Sequence, residues 1–273
     1  SFASHWDNTN KHLQHAPSSS SFSDKIKSTA WNLLLLPRIS GKIMNRQLLP
    51  DIRPERKAES KELFQKFWFG PISEQNQKLR DHFTVEQKSI TTPDGATLNA
   101  YWMKRKDAPE DTQTIIYFNG RLQLATAKRN NWLLEKSVES GTPFNFVFFE
   151  YRGVGDSIGT FTGTNDLIID GSSIVQWVRE GLRIPPEQIH FYGYSLGGSV
   201  AVATKALDPH LTGRLVNERS FASLEKIITT WLNRLGQTAS MIAYMITSEG
   251  YDINPAKEFT KLKGPSLVVY IPK

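Results

Sequence analysis

The residues in this chain best suited to chemistry are Gly193-Tyr194-Ser195-Leu196-Gly197, a G-x-S-x-G run preceded by the apolar segment 189–192 and followed by the small residues 198–203. The pattern predicts a strand that turns sharply into a helix, with Ser195 at the strained tip and its hydroxyl exposed above the sheet edge. Glycines are required on both sides because a Cβ there would collide with the neighbouring strand or helix. The N–H of Leu196 then opens the helix and faces the place where an oxyanion would form. Ser195 is the expected nucleophile, against the plainer reading of a Ser in an ordinary strand-to-helix turn.

A serine nucleophile needs a base and an acid, and the chain offers few candidates. Its six histidines are His5, His12, His15, His82, His190 and His210, and only His210 follows Ser195. His210 reads as a solvated helix terminus, and His190, inside the strand before the elbow, as a core residue. Glu218, after an apolar strand at 215–217, is the alternative acid within the chain. Asp156 precedes Ser195, whereas hydrolases with this elbow run Ser, acid, His along the chain.

The elements that must position these residues follow from periodicity. Residues 1–23 are polar and Ser-rich, a composition that cannot bury enough surface to order itself, and read as a tail. Residues 24–80 read as a helical extension. Within it, 24–36 is amphipathic and far too short to span a bilayer, so it either packs on the domain or lies on a membrane surface. From 81 to 273 the pattern becomes that of the catalytic core. A hairpin at 83–90 and 97–103 turns at Pro93-Asp94-Gly95. Strands at 114–118 and 145–149 alternate with helices at 124–140 and 166–181, so the class is α/β, with a mostly parallel sheet covered by helices on both faces. Residues 221–262 form a cap-like helical insertion with more apolar surface than one buried face requires. The expected lid over an acyl chain would carry Ile227, Ile228, Trp231, Leu232 and Leu235, and a second apolar run at 241–246.

Composition narrows the partners. The chain has 273 residues and no Cys, which excludes disulfides, thiolate metal sites and Cys nucleophiles. Its net charge of +6 is uneven, with 14 Lys and Arg against 9 Asp and Glu in residues 1–90 and 19 against 18 in the rest. The excess favours an anionic membrane surface as a partner of the N-terminal region; no nucleic-acid-binding motif accompanies it. The glycine-rich loop Gly153-x-Gly155-x-x-x-Gly159 follows a strand, but no helix begins where a dinucleotide loop needs one.

The hairpin, Tyr117-Phe118-Asn119-Gly120, the segment 150–157, the elbow and the segment 217–224 occur in the order and spacing of α/β-hydrolases. The match is closest to an esterase-like branch that reads D-Y-R-G-x-G-x-S before the elbow and R-[ST]-F-x-S-L after it. Within that branch, Y-F-N-G in place of H-G resembles the chlamydial CHLPS-type hydrolases and Legionella secretion-system effectors of the SidB type. The resemblance implies the α/β-hydrolase fold and a serine carboxylic-ester hydrolase, lipase-like or lysophospholipase-like, with no metal or cofactor and an acyl ester or phospholipid as substrate. Arg121 or Leu122 supplies the second oxyanion N–H by position, and the Arg121 side chain could attract an anionic substrate. Arg152 and Asp156 are expected to hold the loop after 149 against the elbow. The strand near 265–270 is the one whose end delivers the acid in the family, so the acid is expected shortly after Lys273 and the His tens of residues later, which would leave this segment inactive alone. The location implied is the bacterial cytoplasm or a host cell reached by secretion. The rival readings are a non-catalytic hydrolase-fold interaction or membrane-docking protein and, third, a serine peptidase or thioesterase.

Overall fold

A computed structural model of the chain describes residues 54–72, 74–121, 123–231 and 247–270. The tail at 1–23, the amphipathic segment 24–36, Leu122, Leu232, Leu235 and the run 241–246 lie outside the described residues.

Helices α1 (Pro54–Phe69) and α2 (Glu74–His82) lead into the hairpin β1 (Phe83–Thr91) and β2 (Thr97–Arg105). There follow β3 (Thr114–Phe118), α3 (Asn131–Glu139), β4 (Asn145–Phe149), α4 (Thr164–Gln176) with a π turn at Trp177–Gly181, β5 (Ile189–Tyr194) and α5 (Leu196–Ala206). β6 (Leu215–Glu218), α6 (Leu224–Trp231), a π turn at Thr247–Tyr251, α7 (Pro255–Phe259) and β7 (Ser266–Val269) follow. The sheet order is β1-β2-β4-β3-β5-β6-β7. β1 and β2 pair antiparallel and β2 joins β4 antiparallel, while β4, β3, β5, β6 and β7 run parallel. This is the α/β-hydrolase fold.

Both faces of the central strands are buried, as parallel strands with helical crossovers require. Alternation along β4 shows the division. Val147 and Phe149 enter one cluster with Phe118, Phe191, Leu167 and Val200, and Phe146 and Phe148 enter the other with Tyr101 and Tyr117. Phe64 and Trp68 of α1, Leu79 of α2, and Leu133 and Leu134 of α3 cover that second face. Phe64 meets Tyr101 in a tilted ring contact with centroids 4.7 Å apart.

Two segments depart from the sequence pattern. The helix expected at 124–140 begins only at Asn131, because the buried side chain of Asn130 donates to the carbonyls of Leu124 (3.1 Å) and Ala125 (3.0 Å) and closes 124–130 into turns. Leu267, Val268 and Val269 of β7 form an apolar run suited to a strand buried on both faces, yet they are exposed, as is Tyr270 after them. Among the described residues, none covers them.

Candidate active site

Ser195 sits between the last residue of β5 and the first of α5 at φ 53°, ψ −119°, a conformation that residues with a Cβ rarely adopt. Three contacts impose it. The N–H of Ser195 donates to the carbonyl of Glu218 at 2.8 Å, one step beyond the Tyr194–Glu218 rung of the β5–β6 ladder. Its carbonyl accepts from Gly198 N–H at 3.0 Å. The start of α5 presses on two strand ends: a Cβ on Gly193 would lie 2.5 Å from the Gly197 carbonyl oxygen, and one on Gly197 would lie 2.0 Å from that of Phe118. The glycines thus let helix and strands approach at backbone distance, and the turn between them is forced. As the first residue of α5, Leu196 has an N–H with no acceptor inside the helix.

The loop after β3 lies against this turn. A Cβ on Gly120 would meet the Tyr194 ring at 2.8 Å and the Tyr194 carbonyl oxygen at 3.1 Å. The Gly120 N–H donates to Gln123 Oε1 at 2.7 Å, which closes the loop, and Arg121 stands exposed at its tip. Asn119 anchors it: buried, it donates from Nδ2 to the Phe149 carbonyl at 2.6 Å and ties the ends of β3 and β4 together. That role was not legible in the sequence, where its only signal is a polar side chain closing a buried strand.

The loop after β4 is organised around Glu150. Its buried carboxylate accepts from Asn99 Nδ2 (3.1 Å) and from the Asp156 N–H (2.7 Å), and burial raises its pKa. Gly155, at φ 59°, passes so close that a Cβ would lie 2.1 Å from that carboxylate. The glycine-rich loop therefore wraps a carboxylate of its own chain where a dinucleotide loop would need room for phosphate. Arg152 does not hold this loop against the elbow. Its guanidinium is buried between Asp170 of α4 (Nη2 to Oδ1, 2.8 Å) and Asp94 of the hairpin turn (Nη1 to Oδ2, 2.6 Å). Asp156 turns outward to Lys61 (2.8 Å) and Lys57 (3.3 Å) on α1, and those two ammonium groups, Lys61 first, hold its carboxyl below the usual range.

The described histidines all lie at the opposite edge of the sheet. His190 is at the start of β5, about 16 Å of strand from Ser195. Both its ring nitrogens are engaged: Nδ1 accepts from the Arg214 N–H at 2.9 Å and Nε2 meets Gln113 Oε1 at 2.8 Å. His210 is exposed in the connection between α5 and the start of β6. His82 precedes β1 and pairs with Asp107 beyond the end of β2, beside the start of β4. Glu218 is on the edge of Ser195, but its carboxylate accepts from Tyr192 Oη at 2.7 Å and lies 3.3 Å from Arg219 Nε. Among the described residues no group of three or more His, Cys, Asp or Glu could hold a metal ion, and no helix is long and apolar enough to cross a membrane.

Comparison with known proteins agrees with this geometry. The profile of the family described as Chlamydia CHLPS protein (DUF818) matches residues 81–272. Protein bem46 of Schizosaccharomyces pombe is 27% identical over 196 residues, 71% of this chain and 64% of the relative. The uncharacterized protein YfhR of Escherichia coli O157:H7 is 29% identical over 127 residues, 45% of this chain and 42% of the relative. The chain thus spans less than two thirds of the length of either. Among solved structures, an esterase of Pyrococcus furiosus superposes with a TM-score of 0.51 at 19% identity, covering 68% of this chain and 69% of its own. An alpha-beta hydrolase from Vibrio vulnificus gives 0.51 at 19% identity, over 80% of this chain and 76% of its own.

Proposed function

The chain belongs to the Chlamydia CHLPS protein family and has the α/β-hydrolase fold, and from that premise we propose that it is a serine carboxylic-ester hydrolase with Ser195 as nucleophile. The observation that carries the reading is the strained backbone of Ser195 (φ 53°) at the junction of β5 and α5, held by Glu218, Gly193 and Gly197. Strain maintained by three independent contacts presents the hydroxyl at the C-terminal edge of the parallel strands, where such folds bind ligands.

In the proposed reaction Ser195 Oγ attacks the ester carbonyl and gives up its proton to a base. The carbonyl oxygen becomes an oxyanion held by the N–H groups of Leu196 and Arg121. The alcohol leaves with a proton, and water then releases the acid from the acyl-enzyme. No described histidine lies on this edge, so the acid and His are proposed to come from chain after residue 273, the acid following β7. The exposed apolar residues of β7 support further structure packing there. A fatty-acyl ester or phospholipid is the proposed substrate class. Leu224 and Ile228 of α6 are buried and Ile227 is half-buried, while residues 232–246 of the proposed lid lie outside the described residues.

The same lack of a histidine beside Ser195 among the described residues favours, as second reading, a hydrolase-fold protein that binds without catalysis. Ester turnover separates the two. The full-length protein should cleave medium-chain p-nitrophenyl esters, and Ser195→Ala should lose at least about 1000-fold in kcat/KM. Turnover unaffected by that substitution would remove Ser195 from the mechanism, and no turnover by either form would favour the binding protein.

A further inference from the structure

Arg219, directly after β6, is a second non-glycine residue held at positive φ (54°) on the edge of Ser195. Its N–H donates to the Val269 carbonyl at 2.7 Å, which fixes the backbone. Asn or Gly would occupy this conformation at less cost, so the side chain calls for its own explanation. The guanidinium lies over the ring of Tyr194, the residue before the nucleophile, with Cζ 6.0 Å from the ring centroid. Its nearest approach to an anion is Nε to Glu218 Oε1 at 3.3 Å, and Tyr192 Oη takes the other oxygen of that carboxylate. Among the described residues, neither terminal nitrogen of Arg219 donates a hydrogen bond. The Gly120 backbone also abuts the Tyr194 ring, and Arg121 follows it, exposed. Acidic groups on the same edge are matched elsewhere: Asp94 with Arg152, and Asp156 with Lys57 and Lys61.

We propose that Arg219 selects substrates that carry an anionic oxygen group, carboxylate or phosphate, beside the scissile ester; this rests on the ester-hydrolase reading above. A guanidinium with its terminal fork open suits two oxygens of one planar or tetrahedral anion, and the aromatic face beneath it and the fixed backbone limit the freedom lost on binding. Arg219 would thereby be a specificity residue and take no part in bond making.

The test uses two matched pairs with full-length protein: p-nitrophenyl butyrate against mono-p-nitrophenyl succinate, and 1-butyrylglycerol against 1-butyrylglycerol 3-phosphate. Within each pair the ester is of one type and the charge differs. In Arg219→Asn, which suits the left-handed backbone, the charged-to-neutral ratio of kcat/KM should fall about tenfold, and Arg219→Lys should recover part of it. In the unsubstituted protein that ratio should also fall as ionic strength rises. The pair with the larger loss identifies carboxylate or phosphate as the source of the anion. Ratios identical in the unsubstituted protein and Arg219→Asn for both pairs, and indifferent to salt, would overturn this inference and leave the hydrolase reading standing. Absence of any Ser195-dependent turnover would overturn both.

Discussion

The backbone N–H of Ser195 is bonded to the carbonyl of Glu218 at 2.8 Å, a rung beyond the last residue of β5. It makes the position of the candidate nucleophile depend on where β6 ends. The next residue, Arg219, repeats the device one strand further out by donating to Val269 of β7 at 2.7 Å. Two adjacent strand ends therefore carry residues at positive φ, each fixed by its outer neighbour. Changes in the β6–β7 register should move the site even though no residue of β7 enters it.

The close approach of α5 to β3 can be tested at Gly197. A Cβ there would lie 2.0 Å from the Phe118 carbonyl oxygen and 2.5 Å from that of Asn119. Both are backbone atoms, so no rotamer change relieves the clash, and the helix start must move. Gly197→Ala should lower stability by about 1–3 kcal/mol. Ester turnover should fall about 100-fold, since a displacement near 1 Å moves the Leu196 N–H away from the oxyanion. Gly141→Ala is the comparison, at φ 68° with open space around it, and should cost only about 1–2 kcal/mol without loss of turnover. Thermal unfolding and ester kinetics on both variants check the pair. Full activity in Gly197→Ala would contradict the packing argument.

His190 makes a prediction about pH. Burial, and then the charges of Arg214 and Lys205, push its pKa from 6.5 down to about 4. The unfolded chain thus takes up a proton near pH 6.5 that the folded protein refuses until about pH 4. Stability should fall as pH drops through that window, by at most about 1.4 kcal/mol per pH unit from this group. His190→Gln removes the group and should flatten that part of the profile. Melting temperatures between pH 7 and 4 provide the measurement, and an unchanged slope in the variant would assign the acid sensitivity to other groups.

Much of this architecture could be read from local pattern. Five consecutive buried residues at 145–149 announce a strand covered on both faces, and the glycines at 193 and 197 announce the tight junction around Ser195. What could not be read depends on partners distant in the chain. Nothing near Glu150 says that Asn99, 51 residues earlier, will donate to it, and nothing near Arg152 names Asp94, 58 residues away. Lys205 stands in the last turn of α5, where a lysine is ordinarily solvated. It is buried instead, with Nζ donating to the carbonyls of Leu211 and Lys263, and burial lowers its pKa to about 8. Arg219 looks like any charged residue in a loop until the Val269 bond fixes its backbone. Hydrophobic periodicity reports which face is buried, whereas polar pairing across the sheet is set only when the strands assemble.

The central claim is that Ser195 is an activated nucleophile, and covalent trapping tests it most directly. The full-length protein and its Ser195→Ala variant are each treated with a fluorophosphonate, digested, and searched by mass spectrometry for the modified peptide. The account predicts a single adduct on Ser195 in the unsubstituted protein and none in the variant. Equal labelling of both forms, or an adduct elsewhere with Ser195 unmodified, would contradict it.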